Sequence, residues 1–208
     1  VNALSPDIVV LTGDYVYDPS YRASIFLLPV ADELAELKAK EGVFAVLGNH
    51  DNKDGTSGAL SERGIRVLIN EHIALYRKNE YVFIAGVDDL WRGKMDLART
   101  LKGTDDKPKI LLVHNPDAIE MIKATDVDFV MAGHTHGGQV SLPLYGPPVI
   151  YSKFGARYAA GLFRERRTMM YVNKGIGISG FPVRFCARPE ITLFTLRNKR
   201  MEEVVGQI

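Results

Sequence analysis

The chain has 208 residues, a length that fits one α/β domain better than two small ones. Its 26 Lys and Arg nearly balance its 25 Asp and Glu, so the net charge gives no long-range electrostatic argument for nucleic acid or an acidic membrane as a partner. No apolar run approaches the roughly 20 residues of a membrane span, which predicts a soluble chain.

The first half of the chain alternates apolar, β-branched segments with amphipathic stretches, a pattern typical of α/β proteins. Its first predicted elements are a strand over residues 7–12, a helix over 30–40 and a strand over 43–47. Three short runs follow, 65–69, 72–77 and 81–87, separated by turn-forming residues. These runs predict a local antiparallel meander.

The second half first continues the α/β pattern and then changes. A helix is predicted over residues 116–124, with Asn115 as its cap and Pro116 at its first position, between strands over 109–113 and 127–131. Beyond Gly133 we predict strands over 140–142, 168–172 and 191–196 and a long surface loop over 143–161. Because no repeat or linker interrupts this order, we expect a single domain over residues 1–208.

Side chains that can bind metal follow four of the apolar runs, in most cases beside a glycine. They are Asp14 after Gly13, Asn49 and His50 after Gly48, His114, and His134 and His136 after Gly133. Parallel strands of an open α/β sheet end at one edge, where ligands bind, so we expect these side chains to converge. Taken alone, any one of these histidines is equally well explained as a core histidine with its hydrogen bonds satisfied. Four of the five histidines lie here, however, and that joint pattern favours a site.

The donor types indicate the metal and the reaction. The one cysteine, Cys186, cannot form a cysteine-rich zinc site and is expected to be a small buried hydrophobe. Imidazole, carboxylate and carboxamide donors suit Zn, Mn, Fe or Ni better than Ca. The rings of His134 and His136, two residues apart, project to one side of an extended segment and can each reach one of two ions. Two ions about 3.5–4 Å apart favour hydrolysis of phosphate esters.

Taken in order, four segments resemble the motifs of the calcineurin-like metallophosphoesterases. They are Gly13-Asp14, Gly48-Asn49-His50-Asp51, His114 and Gly133-His134-Thr135-His136. The continuation through Gln139, and Asn173 to Gly177, resemble a small bacterial phosphodiesterase-like branch. The resemblance implies an α/β fold, a four-layer αββα sandwich of two mixed β-sheets flanked by helices. It also implies hydrolysis of phosphate esters, with diesters favoured, by a metal-activated water at a binuclear site.

The same resemblance implies a set of ligands. Asp14 would bridge two divalent transition-metal ions, Asn49, His114 and His134 would complete the second site, and His136 would serve the first.

It also implies catalytic and substrate-binding residues. His50 would contact the scissile phosphate and protonate the leaving alkoxide. Asp51 would orient or tune His50, and a helix cap is an equally good interpretation of Asp51. Gly137 and Gly138 are expected to lie beside a small phosphorylated substrate.

The family pattern opens with an Asp-x-His triplet on a first strand, and no such triplet precedes Asp14. Residues 1–6 read as the last turn of a helix that stops at Pro6, so we expect an N-terminally truncated chain without the first strand and with an incomplete first metal site. This leaves open a catalytically impaired metal-binding module. An exposed sheet edge would then favour a homo-oligomer. The resemblance fits a cytoplasmic or membrane-peripheral bacterial protein.

Three further signals remain open. The glycines from Gly175 to Gly180 match a dinucleotide-binding pattern, but no helix is predicted after them, and a loop at the metal edge is the better interpretation. Arginines of the C-terminal third, Arg184 among them, either hold phosphate or form a solvated face. Trp91 is a candidate neighbour of the site with no chemistry assigned. Metal-dependent hydrolysis of a carboxylic ester is a further alternative.

Overall fold

The computed structural model describes residues 1–17, 23–77, 79–123 and 126–197. Its strands are β1 (Ile8–Leu11), β2 (Gly42–Ala45), β3 (Arg66–Val67), β4 (Glu71–Arg77), β5 (Glu80–Gly86), β6 (Lys109–Leu112), β7 (Phe129–Ala132), β8 (Gly161–Glu165) and β9 (Thr168–Val172). Its α-helices are α1 (Ala23–Ala35), α2 (Lys53–Ser61) and α3 (Leu97–Thr100). Short 3-10 helices cover Asn2–Leu4, Pro116–Met121, His136–Gly138 and Gly155–Tyr158.

The strands form two sheets that meet face to face. The first has the order β1-β2-β3, and both of its pairings are parallel. The second has the order β4-β5-β6-β7-β9-β8, with parallel pairings in the middle and an antiparallel pairing at each edge. The carboxyl ends of β1 and β2 in one sheet, and of β6 and β7 in the other, carry the candidate metal ligands.

Side chains that alternate along the strands divide the core into three clusters. On the outer face of the first sheet Val43 packs with Ala31 of α1 and Leu60 of α2. Between the sheets lie Phe44, Val46, Leu68, Ile84, Ile110 and Leu112. The outer face of the second sheet is covered partly by the 3-10 helix Pro116–Met121. The predicted α/β sandwich is therefore confirmed, although its fourth layer has a 3-10 helix where an α-helix over 116–124 was predicted.

Several element boundaries and partners differ from the prediction. The run at 65–69 does not join a meander, because β3 pairs in parallel with β2 in the first sheet. The helix after Asn115 is 3-10 and ends at Met121, although the Asn115 side chain does accept from Asp117 N as a cap. The first long helix is also earlier than predicted, since it covers Ala23–Ala35.

The C-terminal third departs further. Strand β8 lies partly inside the predicted surface loop, residues 140–142 make isolated bridges rather than a strand, and residues 191–196 have no regular structure. Cys186 is exposed, so its prediction as a buried hydrophobe is wrong. No helix in the described parts of the chain combines the length and apolar content needed to cross a bilayer.

Candidate metal centre

Three of the predicted ligands form one compact group where the two sheets meet. One ligand atom from each of Asp14, His114 and His134 lies within 4.8 Å of those of the other two. Asp14 follows β1 of the first sheet, whereas His114 and His134 follow β6 and β7 of the second. The donors are therefore brought together by the packing of the sheets.

Glycines beside the ligands allow this close approach. A Cβ on Gly48 would stand 2.2 Å from Asp14 Oδ1 and 2.7 Å from Asp14 N. A Cβ on Gly13, whose φ is +94°, would stand 2.6 Å from Gly48 N and 2.8 Å from His114 Nδ1. The turns after β1 and β2 thus pack backbone against backbone, and an added methyl group would push the carboxylate or the imidazole away.

The backbone is also unusual at the ligands themselves. Asp14, His134 and His136 have φ of 59°, 69° and 54°, in the left-handed region that few residues other than glycine enter. Such conformations cost free energy and cluster where function requires a particular side-chain direction.

Asp14 and His114 face each other in a way that calls for a cation. His114 Nδ1 lies 2.7 Å from the Thr12 carbonyl, which can only accept, so Nδ1 carries a proton and donates it. In the neutral ring Nε2 then presents a lone pair, and it lies 3.2 Å from Asp14 Oδ2. Two hydrogen-bond acceptors at this distance repel each other unless a positive ion, either a proton or a metal, lies between them.

The pKa values of the pair express the same coupling. Burial disfavours the charged forms of both groups, but the hydrogen bond and charge of His114, with the His50 amide, lower the pKa of Asp14 to about 2. Burial likewise acts against the imidazolium of His114, yet Asp14 raises the pKa of that ring.

Two other buried atoms that could bind a metal lack the hydrogen-bond partner that a buried polar atom normally has. Asn49 Oδ1 and His134 Nε2 have no hydrogen-bond partner within the described parts of the chain. Burial, followed by the charge of His114, lowers the pKa of His134 to about 3, so its ring is neutral, the form that binds metals. Unpaired buried atoms are unfavourable in a folded protein unless an ion or water satisfies them. These donors therefore fit a divalent transition metal.

His136 stands apart from the compact group. Its Nδ1 is 3.3 Å from Arg184 Nη2, and burial together with the charge of Arg184 lowers its pKa. Arg184 is itself held by backbone carbonyls, since its guanidinium donates to Gly177 O at 2.8 Å, Lys174 O at 2.8 Å and Ala187 O at 2.9 Å. Arg184 thus holds the C-terminal loop against His136, and its role toward phosphate stays a prediction.

His50 and Asp51 lie in the turn after β2 but have different surroundings. The His50 amide donates to Asp14 Oδ1 at 2.9 Å, and the His50 ring packs edge to face against Tyr17. Asp51 accepts from the amides of Gly48 at 2.7 Å, Asp14 at 2.8 Å and Tyr15 at 3.0 Å. Its carboxylate therefore joins the turns after β1 and β2. The cap of α2 is Asn52, which accepts from Gly55 N.

The two glycines after His136 have φ of 64° and 75°. A Cβ on Gly138 would stand 2.1 Å from Pro147 Cβ, and one on Gly137 would stand 2.8 Å from Lys174 Cγ. Close packing thus accounts for both glycines, and their role toward substrate stays a prediction.

Sequence reasoning missed two residues that support the site. Thr12 supplies the carbonyl that fixes His114, and Tyr15 donates its hydroxyl to Val46 O at 2.9 Å. Both act through backbone contacts that no motif marks. Trp91, which the sequence analysis named as a candidate neighbour of the site, packs edge to face on His134 with ring centroids 4.4 Å apart.

Comparisons with known proteins show which family the chain belongs to. Residues 1–138 match the family model of the calcineurin-like phosphoesterases. The chain is 38% identical over 207 residues to the uncharacterized metallophosphoesterase YkuE of Bacillus subtilis, covering 95% of this chain and 70% of that protein. It is 36% identical over 200 residues to the phosphodiesterase YaeI of Escherichia coli, covering 92% of this chain and 70% of the relative.

A solved structure shows the same fold. It is the NAD nucleotidase NadN of Haemophilus influenzae, which aligns with 81% of this chain and 40% of its own length at a TM-score of 0.52 and 17% identity. At that identity the likeness extends to the fold alone. With the family model and the relatives, the resemblance predicted from the motifs is confirmed. The chain belongs to the calcineurin-like phosphoesterase family and is a metal-dependent hydrolase of phosphate esters.

Proposed function

We propose that the chain hydrolyses phosphodiesters at a binuclear centre built around Asp14. One divalent ion, Mn, Fe, Zn or Ni, would be held by Asp14, Asn49, His114 and His134, and the second would use Asp14 and His136. The observation that carries the proposal is the compact group of ligand atoms of Asp14, His114 and His134, which all lie within 4.8 Å of one another. The relative YaeI, which is named a phosphodiesterase, supports the choice of diesters.

The residues around the centre have different roles in the proposed reaction. When bound, the ions supply an activated water and neutralise charge on the phosphoryl oxygens. Asp14 is held for bridging, because the His50 amide fixes Oδ1 while Oδ2 faces His114. Asp51 positions the two turns through its three backbone contacts.

His50 is the residue to which we assign proton transfer to the leaving oxygen. Its Nδ1 is buried and makes no hydrogen bond to any described residue, so the imidazole is not committed to a structural contact at that atom. Its position beside Asp14 puts it at the edge of the donor group. Gly137 and Gly138 complete the wall that would face substrate.

The decisive measurement is hydrolysis of bis(p-nitrophenyl) phosphate with added Mn²⁺. We expect turnover that a chelator abolishes and that His50→Ala lowers by about 10²–10⁴-fold, the usual contribution of a general acid. His72→Gln is the matched control, since His72 lies in β4, bonds the Thr100 carbonyl and should leave turnover unchanged.

Four results would contradict the proposal. Turnover that survives the chelator would show that the reaction does not depend on a metal. Turnover unaffected by His50→Ala would show that His50 is not the proton donor. Calorimetric binding of Mn²⁺ without any turnover would instead support the metal-binding module. Faster cleavage of p-nitrophenyl acetate than of the diester would indicate a carboxylic-ester hydrolase.

A further inference from the structure

A continuous row of contacts runs through the donor group and ends in an aromatic ring on either side. Trp91 packs on His134, whose Nδ1 is 3.1 Å from His114 Nε2. His114 faces Asp14, which accepts from the His50 amide, and His50 packs on Tyr17 with ring centroids 4.7 Å apart. The row therefore places the candidate ligands between two rings.

Both terminal rings are large, apolar and accessible. Trp91 is 40% exposed and Tyr17 is 49% exposed. Neither ring belongs to the three clusters that fill the core. Trp91 therefore presents an accessible aromatic surface directly beside His134, a candidate metal ligand.

The loop that presents Trp91 is held in place by buried carboxylates. Asp89 Oδ2 accepts from Trp91 N at 2.8 Å and from Arg92 N at 2.6 Å. Asp88 accepts from Lys94 N at 3.1 Å and from Lys53 Nζ at 2.9 Å. Since both carboxylates are buried, the indole is presented on a fixed loop, as a preformed binding surface requires.

The two ends of the row differ in their neighbours. Tyr17 packs on His50, the residue assigned to the leaving oxygen, so the leaving group passes on the Tyr17 side. Trp91 lies at the opposite end, beside His134. A diester bound along the row would therefore place its retained ester group, the one still on phosphorus after cleavage, near Trp91.

We propose that Trp91 is a specificity-determining residue that packs against the retained ester group and selects diesters in which this group is a planar aromatic ring, an aryl group or a nucleobase. This inference rests on the proposed phosphodiesterase activity. Aromatic rings prefer offset or edge-to-face contacts with one another, and such contacts add to the burial of apolar area.

The kinetic test compares two diesters with the same leaving group, bis(p-nitrophenyl) phosphate and methyl p-nitrophenyl phosphate. Trp91→Ala should raise KM for the first by about 5- to 30-fold and for the second by less than about twofold, the range expected for loss of one aromatic stack. Trp91→Phe should restore most of the difference. Tyr17→Ala should change both substrates by one common factor, and Tyr76→Ala, an exposed tyrosine of β4, should change neither.

A second measurement reads binding without turnover. Trp91 is the only tryptophan in the sequence, so its fluorescence reports this position alone. Addition of Mn²⁺ should quench it through the ion beside His134. In the Mn²⁺-loaded protein, p-nitrophenylphosphonate should then quench it further and methylphosphonate should not.

The outcomes separate this inference from the activity beneath it. Suppose that the wild type turns over and that Trp91→Ala loses activity equally on both diesters and binds Mn²⁺ more weakly. That result would overturn the inference and make Trp91 a positioning residue of His134. Equal effects of the two phosphonates would also overturn it. If the wild type shows no turnover, the proposed function fails, and selective quenching by the aromatic phosphonate alone would still support the aromatic contact.

Discussion

Gly48 packs directly against the carboxylate of Asp14. Because a Cβ there would meet Asp14 Oδ1 at 2.2 Å, Gly48→Ala must displace the carboxylate that the centre is built around. We expect loss of Mn²⁺ binding and of hydrolysis, measured by calorimetry and by turnover of an aryl diester.

A second glycine provides the matched control. Gly58 lies in α2 with nothing within 4 Å of its added Cβ. Gly58→Ala should keep metal binding and raise the free energy of unfolding by about 0.4–1 kcal/mol, since alanine restricts the unfolded chain. Metal binding by Gly48→Ala at the affinity of the wild type would show that the turn relaxes around the methyl group.

Asp51 combines three backbone contacts in one carboxylate, so its replacement acts on structure before chemistry. In Asp51→Asn an amide group replaces one accepting oxygen and confronts the amides of Gly48, Asp14 or Tyr15. We expect the free energy of unfolding to fall by about 1–3 kcal/mol in urea titrations, the usual penalty for an unsatisfied buried donor. Asp54→Asn, an exposed carboxylate in the first turn of α2, is the control. A variant as stable as the wild type would rule out this joining role.

At the scale of elements, the segment after β9 is tied to the second sheet by Glu190. Its carboxylate accepts from Tyr171 Oη at 2.7 Å and lies 2.7 Å from Lys174 Nζ. Burial opposes its ionisation, but Lys174 and Tyr171 outweigh that effect and lower the pKa of Glu190 below 4.5. The folded state thus favours the carboxylate, and its stabilisation is present above the unfolded-state pKa and disappears as the pH falls through the lowered folded-state value.

The corresponding prediction is a stability difference that depends on pH. Glu190→Gln should lower the free energy of unfolding at pH 7 by about 0.5–1.5 kcal/mol, and this difference should shrink toward zero below the lowered pKa. Denaturant titrations between pH 7 and pH 3 measure it, with the exposed Glu36→Gln as control. A difference that stayed constant with pH would exclude the ion pair as its source.

Hydrophobic pattern located the strands well but could not assign every partner. Strands β6, β7 and β9 were predicted to within two residues because each is a continuous apolar run. β3 has two residues, too few for a pattern to distinguish parallel pairing with β2 from a hairpin with β4. β8 was missed because Gly161 and the charged Arg164 and Glu165 interrupt its apolar character. Its strand conformation depends on antiparallel pairing with β9.

The sequence predicted the candidate metal ligands of the site but not the residues that hold them in place. Asp14, His114 and His134 follow apolar runs in the order of a motif, and the structure brings their ligand atoms together. Arg184 and Trp91 lie far along the chain from the histidines they contact, so only the folded structure shows these contacts.

At the scale of the whole molecule, the donor group spans the interface between two separately hydrogen-bonded sheets. An ion that binds only the folded state adds RT ln(1 + [L]/Kd) to its stability, about 2.7 kcal/mol at one hundred times Kd. We therefore expect Mn²⁺ to raise the melting temperature and a chelator to reverse the rise. His134→Ala should lose most of the shift. A shift of equal size in this variant would place the stabilising ion elsewhere.

The division of the ligand group between two sheets also predicts when an ion can bind during folding. Asp14 follows a strand of the first sheet, whereas His114 and His134 follow strands of the second, so we expect neither sheet alone to bind a cation tightly. We therefore expect the ion to bind only after the two sheets have packed together, and protein deprived of the ion to be folded with an empty site.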